Sequence, residues 1–201
     1  MKHGIRTWGA GVAVLGALIV GSAATPAIAD EVPIGEYVKV ELTSIPLTKA
    51  NAIANGYEVR KNSAGTEFIV APGTPDGDFS HAVALPKKGT VGTNNTAHGT
   101  CGDSWVYFNS TTQIRTGYTI FSNKGQPVSQ TWNVAVTSPW DAESYSFTGL
   151  ATWGSQTWKA TRNISVEAAL GAFKNAVAGG SVLTTSTLCS SGSPTASIRN
   201  Q

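Results

Sequence analysis

The sequence predicts a mainly β protein, an antiparallel β-sandwich with one α-helix on its C-terminal side and one disulfide. Successive runs between residues 101 and 158 alternate apolar and polar residues with a period of two, which is typical of half-buried strands. Short stretches of Gly, Asn, Pro and Ser separate these runs and supply turn residues. The only two cysteines, Cys101 and Cys189, flank this region, so one disulfide would tie the first core strand to the last.

Residues 1–29 have the features of a cleaved secretory signal. Lys2 and Arg6 precede an apolar run over residues 8–20, and an Ala-Ile-Ala sequence at residues 27–29 has the small-x-small pattern of a cleavage site. The alternative, an uncleaved membrane anchor, is disfavoured because the run is shorter than the roughly 20 residues that span a bilayer. We therefore expect a secreted, extracellular protein that keeps no transmembrane anchor after cleavage.

Charge excludes two classes of partner. The whole chain carries 14 Lys and Arg against 12 Asp and Glu, and the predicted cleavage removes Lys2 and Arg6. The mature chain is then formally neutral. Without a basic patch it has no electrostatic footprint for nucleic acid or for an anionic membrane surface.

We expect one domain with four parts after the signal peptide. Residues 30–72 form a small helix and hairpin segment that docks on the main body, and residues 73–100 form a loop-rich connection. Residues 101–189 form the β-sandwich core. Residues 190–201 form a flexible tail.

The segment 30–72 has its own local signals. A strand is predicted over residues 37–42, and Thr48 can cap a short helix that runs to Ala54. Asn62-Ser63-Ala64-Gly65 is turn chemistry, which predicts a hairpin of residues 57–61 with residues 67–70. The alternative for this segment is a cleavable propeptide.

The core region predicts strands and two hairpins. Residues 105–108 are continuously apolar, which favours a strand buried on both faces. Residues 114–121 and 128–136 alternate, and the turn residues between them predict a first hairpin, with Ser129, Thr131 and Asn133 on a solvated side of its second strand. A second hairpin is predicted from residues 144–153 and 157–164, with a reversal at Gly154-Ser155.

The end of the core is predicted as a helix followed by a last strand over residues 181–188. Apolar residues recur at helical spacing over residues 166–177, Ser165 can cap the start, and Gly179-Gly180 can end the run. A disulfide between Cys101 and Cys189 would close a loop of 88 residues, which stabilises a fold by roughly 4 to 5 kcal/mol in the chain-entropy description.

No catalytic residue is assigned from the sequence. Gly102-Asp103-Ser104 resembles two serine-hydrolase signatures only superficially. Trp105 and Val106 replace the glycines that form an oxyanion hole in trypsin-like proteases, and no histidine follows Ser104 to act as the base of a Gly-Asp-Ser-Leu esterase.

No metal or cofactor is expected either. Only His81 and His98 lie after the predicted cleavage site, and with both cysteines committed to a disulfide too few ligands are left for a structural zinc site.

The tryptophans carry the functional prediction. Trp140, Trp153 and Trp158 lie at or beside predicted turns, where a large flat apolar ring can stack on a sugar or anchor a protein partner. Trp105 and Trp132 are assigned to the core. The sequence therefore favours a secreted, non-enzymatic β-sandwich protein that binds an extracellular polysaccharide or a surface protein; it contains no signature of an oligomeric state.

Two alternatives stay open. A secreted glycoside hydrolase of the β-jelly-roll type would need two facing carboxylates, for which Asp141, Glu143 and Glu167 are the candidates. A toxin-like or self-assembling extracellular protein would use the Ser- and Thr-rich hairpin over residues 111–138, which could pair with another sheet edge.

Overall fold

A computed structural model describes residues 33–86 and 100–201, so the predicted signal peptide and His98 lie outside the described residues. The fold is mainly β and its strand pairings are antiparallel, as predicted. The predicted disulfide is also confirmed, because Cys101 and Cys189 are bonded with their Cα atoms 5.8 Å apart. The strands and the helix, in chain order, are β1 (Glu36–Val38), β2 (Val40–Ile45), α1 (Lys49–Ala54), β3 (Glu58–Lys61), β4 (Glu67–Val70), β5 (Val83–Ala84), β6 (Thr100–Ser110), β7 (Gln113–Ile120), β8 (Pro127–Thr137), β9 (Ala142–Ser146), β10 (Gly149–Leu150), β11 (Thr157–Asn163), β12 (Phe173–Thr184), β13 (Leu188–Ser191) and β14 (Thr195–Arg199).

Eleven of these strands form one sheet, and β3, β4 and β5 form a second. The main sheet runs β11-β7-β6-β2-β13-β12-β8, with β9 and β10 on the far side of β8. One edge of β12 pairs with β8 over nearly its whole length. On the other edge, the N-terminal part of β12 pairs with β14, which in turn pairs with β1. The C-terminal part of this edge pairs with β13. The long strand β12 therefore joins the two halves of the sheet.

The main core contains side chains from both halves of this sheet. Val106 and Phe108 of β6 belong to the same buried cluster as Trp132 of β8 and Ala178 of β12. Trp132 is completely buried, which confirms its predicted place in the core, and its indole Nε1 donates to Thr116 Oγ1 at 2.9 Å. Strands that are distant in the sheet thus enclose one hydrophobic interior.

The segment α1 to β5 covers part of the other face of the sheet. Thr48 caps α1 as predicted, with its Oγ1 accepting from the Asn51 amide at 3.1 Å, and β3 and β4 pair as the predicted hairpin. Tyr57 is buried with Leu183 and Leu188 in a second apolar cluster. β2, from the same N-terminal segment, lies inside the main sheet between β13 and β6.

The N-terminal segment shields part of β8 from solvent. Thr131 Oγ1 donates to the Asn55 carbonyl oxygen at 3.0 Å, and Ser129 is fully buried. The predicted solvated side of this strand is therefore exposed at Asn133 but covered at Ser129.

The helix predicted over residues 166–177 is wrong. Residues 164–169 have no regular structure, Leu170 and Gly171 lie in a turn, and Phe173 begins β12. Along β12, Lys174 and Ala176 are buried while Phe173, Asn175 and Val177 are exposed, which is a period of two. Ten residues of this strand pair with β8, and this tertiary pairing outweighs the local helical spacing.

Both predicted core hairpins are wrong, although their strands exist. β7 pairs with β6 and β11, whereas β8 pairs with β12, β9 and β10. The second predicted hairpin fails in the same way, because β9 and β10 pair with β8 while β11 pairs with β7. Alternation identifies which face of a strand is buried, but the partner is decided by contacts far away in the sequence.

Two further expectations are corrected. Residues 195–199 form β14, with Ala196 and Ile198 buried, where a flexible tail was predicted. Trp105, predicted for the core, is half-buried on the outer face of β6, and its ring approaches Gly117 so closely that a Cβ there would lie 2.8 Å from Trp105 Cζ2. The strand over residues 105–108 is accordingly fully buried on one face only.

Candidate functional site

The three turn-adjacent tryptophans do not lie together. Trp140 is 68% exposed in the loop after β8, and Trp153 is 71% exposed between β10 and β11, with its ring 6.2 Å from that of His81. β10 pairs with Ser129 and Gln130 near the start of β8, so these loops flank opposite ends of that strand. The distance along the strand from Ser129 to Thr137, eight residues further on, is about 26 Å. Trp140 and Trp153 therefore cannot stack on one sugar ring.

Trp158 belongs to an aromatic cluster at the edge of the core. Its ring is stacked on Tyr118 at a centroid distance of 5.5 Å, and it contacts Trp132 and Phe147 at 6.2 and 5.5 Å. It is partly buried against the main core. Its faces are largely engaged by protein, so the structure does not present it as an open platform.

The candidate carboxylates bind backbone amides. Asp141 Oδ2 accepts from the Glu167 amide at 3.0 Å, and Glu143 Oε2 accepts from the Ser165 amide at 3.0 Å. The Tyr145 hydroxyl also donates to Glu143 Oε2. Asp141 and Glu143 thus fasten the segment after β11 to the start of β9.

The protonation behaviour of Glu143 fits this structural role. The hydrogen bond from Tyr145 lowers the pKa of the Glu143 carboxyl, the Ser165 amide lowers it further, and the nearby Asp141 carboxylate opposes them only weakly. Burial, together with the bond to Glu143, raises the pKa of Tyr145 to about 12. A glycosidase general acid needs the reverse, a carboxyl whose pKa is raised.

Ser104, of the Gly-Asp-Ser sequence, is also engaged. It is fully buried in β6, and its Oγ donates to the Val40 carbonyl oxygen at 3.1 Å and lies 3.0 Å from Ser191 Oγ. Asp103 pairs with Lys39 at 3.2 Å. Ser104 thus joins β6 to β2 and β13, whereas Asp103 contacts the residue between β1 and β2.

The outer surface of β1, β14 and β12 contains a groove. A cleft of about 510 Å³ and an adjoining cleft of about 490 Å³ share Glu36 and Ser197 in their walls. We call this surface the β12 groove. Exposed large apolar side chains gather along it: Ile34, Val38, Phe173 and Val177.

Strand register arranges the groove in rows. Val38 lies opposite Thr195, which lies opposite Val177. In the next row Glu36 lies opposite Ser197, which lies opposite Asn175. Residues that are opposite each other in register share a face, so hydroxyl and amide groups alternate with apolar side chains across the three strands.

Two charged groups stand at one end of the groove. Arg199 lies opposite Phe173, and its Nε donates to the Gly171 carbonyl oxygen at 3.1 Å, which fixes the side chain. Within the described part of the chain the Glu36 carboxylate takes part in no hydrogen bond or ion pair. A guanidinium and a carboxylate are therefore both present beside an exposed aromatic ring.

Sequence reasoning missed this groove because of the helix prediction. At helical spacing, Phe173 and Val177 belong to a buried stripe. At the strand period of two, they share an exposed face with Asn175. The alternation of Phe173, Asn175 and Val177 with Lys174, Ala176 and Ala178 was the available signal.

Over residues 33–86 and 100–201, no group of three or more His, Cys, Asp or Glu side chains is placed to hold a metal ion. No helix in these ranges is long and apolar enough to cross a membrane. Comparison of the chain with protein-family models, with curated proteins and with solved structures found no match.

Proposed function

We propose that this is an exported β-sandwich protein that binds an extracellular glycan, without enzymatic activity, through the β12 groove. The observation that carries the proposal is the gathering of exposed apolar side chains with hydroxyl, amide and charged groups on one concave surface. Ligand sites combine an apolar lining with a few placed polar groups in this way. The two-layer sandwich is inferred from the shared core of distant strands.

A glycan suits this mixture of side chains. A sugar ring has C–H faces that pack on rings such as Phe173, which is 54% exposed, and hydroxyls that exchange hydrogen bonds with side chains such as Asn175 and Ser197. These residues are on paired strands, so their spacing is held without the ordering cost of a loop.

The absence of catalysis is supported by the bonding of the acidic residues. Asp141 and Glu143 accept hydrogen bonds from backbone amides that hold the fold together. Protonating Glu143 to make it a general acid would weaken one of these attachments. The self-assembly alternative was based on a hairpin over residues 111–138, and β7 and β8 do not pair as that hairpin requires.

The test is retention on insoluble polysaccharides. The purified chain would be incubated with cellulose, xylan, chitin and bacterial cell wall, and the supernatant assayed for released sugar. A double variant, Phe173→Ala with Asn175→Ala, should bind at least about tenfold more weakly, since each removes an exposed groove contact without touching the core. Circular dichroism checks the fold of each variant.

The matched control is Trp140→Ala with Trp153→Ala, which removes the two exposed tryptophans outside the groove. We expect it to bind like the natural chain. Loss of binding in this control alone would restore the turn tryptophans as the site. Sugar release would favour the glycoside hydrolase, and no retention on any polymer would contradict the proposal.

A further inference from the structure

The exposed face that contains the β12 groove continues across two more strands. In register, Val177 of β12 lies opposite Ala135 of β8, which lies opposite Ser144 of β9. The neighbouring row continues in the same way from Asn175 to Thr137 and Ala142. All four added side chains are exposed. The outward face of β1, β14, β12, β8 and β9 is therefore one continuous surface, which we call the five-strand face.

This face is almost uncharged. Apart from the Phe173 ring, and from one carboxylate and one guanidinium at the groove end, its outward side chains are short and polar or apolar. They are Glu36, Val38, Thr195, Ser197, Arg199, Phe173, Asn175, Val177, Asn133, Ala135, Thr137, Ala142, Ser144 and Ser146. Glu36 and Arg199 cancel in formal charge, so the face offers no net attraction to a charged polymer.

We infer that the ligand is an extended, uncharged polysaccharide chain that crosses the strands from β1 to β9, an inference that rests on the proposed function. Five strands at their usual spacing extend about 19 Å from the first to the last. The side chains of Ser, Thr, Ala and Val lose little rotamer freedom when covered, so each further strand can add affinity at small entropic cost. A single chain can follow the twist of the sheet, which a rigid flat surface cannot.

Two properties follow. Affinity should rise with the length of the oligosaccharide until the chain covers the face, because each added sugar contacts a further strand. Binding should also be insensitive to salt, since screening weakens only interactions between charges.

The experiment measures dissociation constants by titration calorimetry. The probes are neutral oligosaccharides of increasing length derived from cellulose, xylan and chitin, together with an acidic polymer, alginate. Ala135→Lys places a long charged side chain in the middle of the face, on β8 and outside the groove. Thr161→Lys is the matched control, an exposed strand position on β11.

For the natural chain we expect at least about a tenfold gain in affinity from the shortest to the longest probe, unchanged at high salt. Ala135→Lys should bind the shortest probe normally and lose the gain with length, while Thr161→Lys keeps it. Binding of short and long probes with equal affinity would confine the ligand to the groove and overturn this inference, leaving the proposed function intact. Salt-sensitive binding of alginate, without binding of the neutral oligosaccharides, would also overturn this inference. No binding of any probe would overturn both.

Discussion

At Gly180 the Thr131 carbonyl oxygen occupies the space that a side chain would need. A Cβ built on Gly180 would lie 1.9 Å from that oxygen, and the φ of +153° is one that other residues rarely adopt. Its neighbour Gly179 has room, since the nearest atom to a Cβ there is Ser193 Oγ at 3.5 Å. The pair was predicted to end a helix, yet both glycines lie inside β12.

This contrast makes a prediction for two adjacent alanine variants. Gly180→Ala should lower the free energy of unfolding by about 3 kcal/mol or more, because β8 and β12 must separate or the backbone must strain. Gly179→Ala should change it by less than about 0.5 kcal/mol. Urea denaturation measures both. Equal effects of the two variants would contradict the pairing of β8 with β12.

Tyr57 joins the N-terminal segment to the main sheet by its hydroxyl. The oxygen accepts from the Leu183 amide at 3.0 Å, and the hydroxyl lies 3.0 Å from the Ser181 carbonyl oxygen, to which it donates. Burial raises the pKa of Tyr57 well above its ordinary value, so the group stays neutral and can donate.

Tyr57→Phe should therefore destabilise the fold by about 2 kcal/mol, because a buried amide and a buried carbonyl lose a partner. Tyr37→Phe is the control, since Tyr37 is 46% exposed and its hydroxyl can be replaced by water. Thermal unfolding of the two variants measures the difference. A Tyr57→Phe variant as stable as the control would show that the Tyr57 hydroxyl does not stabilise the contact between the N-terminal segment and the main sheet.

At the scale of elements, the segment between β11 and β12 is held by side chains in place of a regular backbone ladder. Glu143 and Asp141 accept from the amides of Ser165 and Glu167, and the Ser138 hydroxyl donates to the Glu167 carbonyl oxygen at 2.6 Å. These contacts connect the loop after β8 to the entry of β12.

Acidic pH should weaken the hydrogen bonds by which Glu143 holds this segment. The pKa of Glu143 is lower in the folded chain than in the unfolded one, so its stabilising effect is present above the unfolded pKa and is lost as the pH falls through the folded value. The Glu143→Gln variant should therefore have a lower free energy of unfolding than the natural chain near neutral pH. This difference in the free energy of unfolding should become smaller at acidic pH. Melting temperature as a function of pH tests it. Glu167→Gln, whose carboxylate makes no hydrogen bond within the described residues, should show no such convergence.

The sequence predicts some secondary-structure elements correctly and others incorrectly. The helix after Thr48 and the hairpin around Asn62 were predicted correctly, because a cap and a turn are local and use neighbouring atoms. β12 was mistaken for a helix because its apolar residues also fit a spacing of three and four. What decides its structure is the pairing with β8, whose residues lie 38 to 57 positions earlier, and for this pairing the local sequence contains no signal.

The site follows the same rule. The sequence predicts exposed aromatic residues near turns, and Trp140 and Trp153 are exposed. It does not predict that they are far apart, nor that β1 and β14 meet beside β12, because both depend on which strands pair. The groove combines residues 34–38 with residues 173–177 and 195–199, and only the completed sheet brings these three segments together.

At the scale of the whole molecule, the N-terminal segment is part of the main sheet. β2 pairs with β13 on one side and with β6 on the other, and Leu42 is fully buried between them. Removal of residues 30–72, the propeptide alternative, would therefore delete an inner strand of the main sheet and the cover over Leu183 and Leu188.

We predict that a chain starting at residue 73 does not reach the native fold. It should lack the cooperative thermal unfolding of the natural chain, because β6 and β13 would be left with exposed inner edges. Mass spectrometry of the protein recovered from an exporting host should likewise find β1 and β2 retained. A stable, cooperatively folded chain beginning at residue 73 would instead support a propeptide.

The measurement that tests the central claim most directly is an NMR titration of the isotope-labelled protein with the neutral oligosaccharide that binds best. The account predicts that amide shifts concentrate in residues 34–38, 173–177 and 195–199, and that longer probes extend them to β8 and β9. Shifts confined to the loops of Trp140 and Trp153, with the β12 groove unaffected, would contradict it.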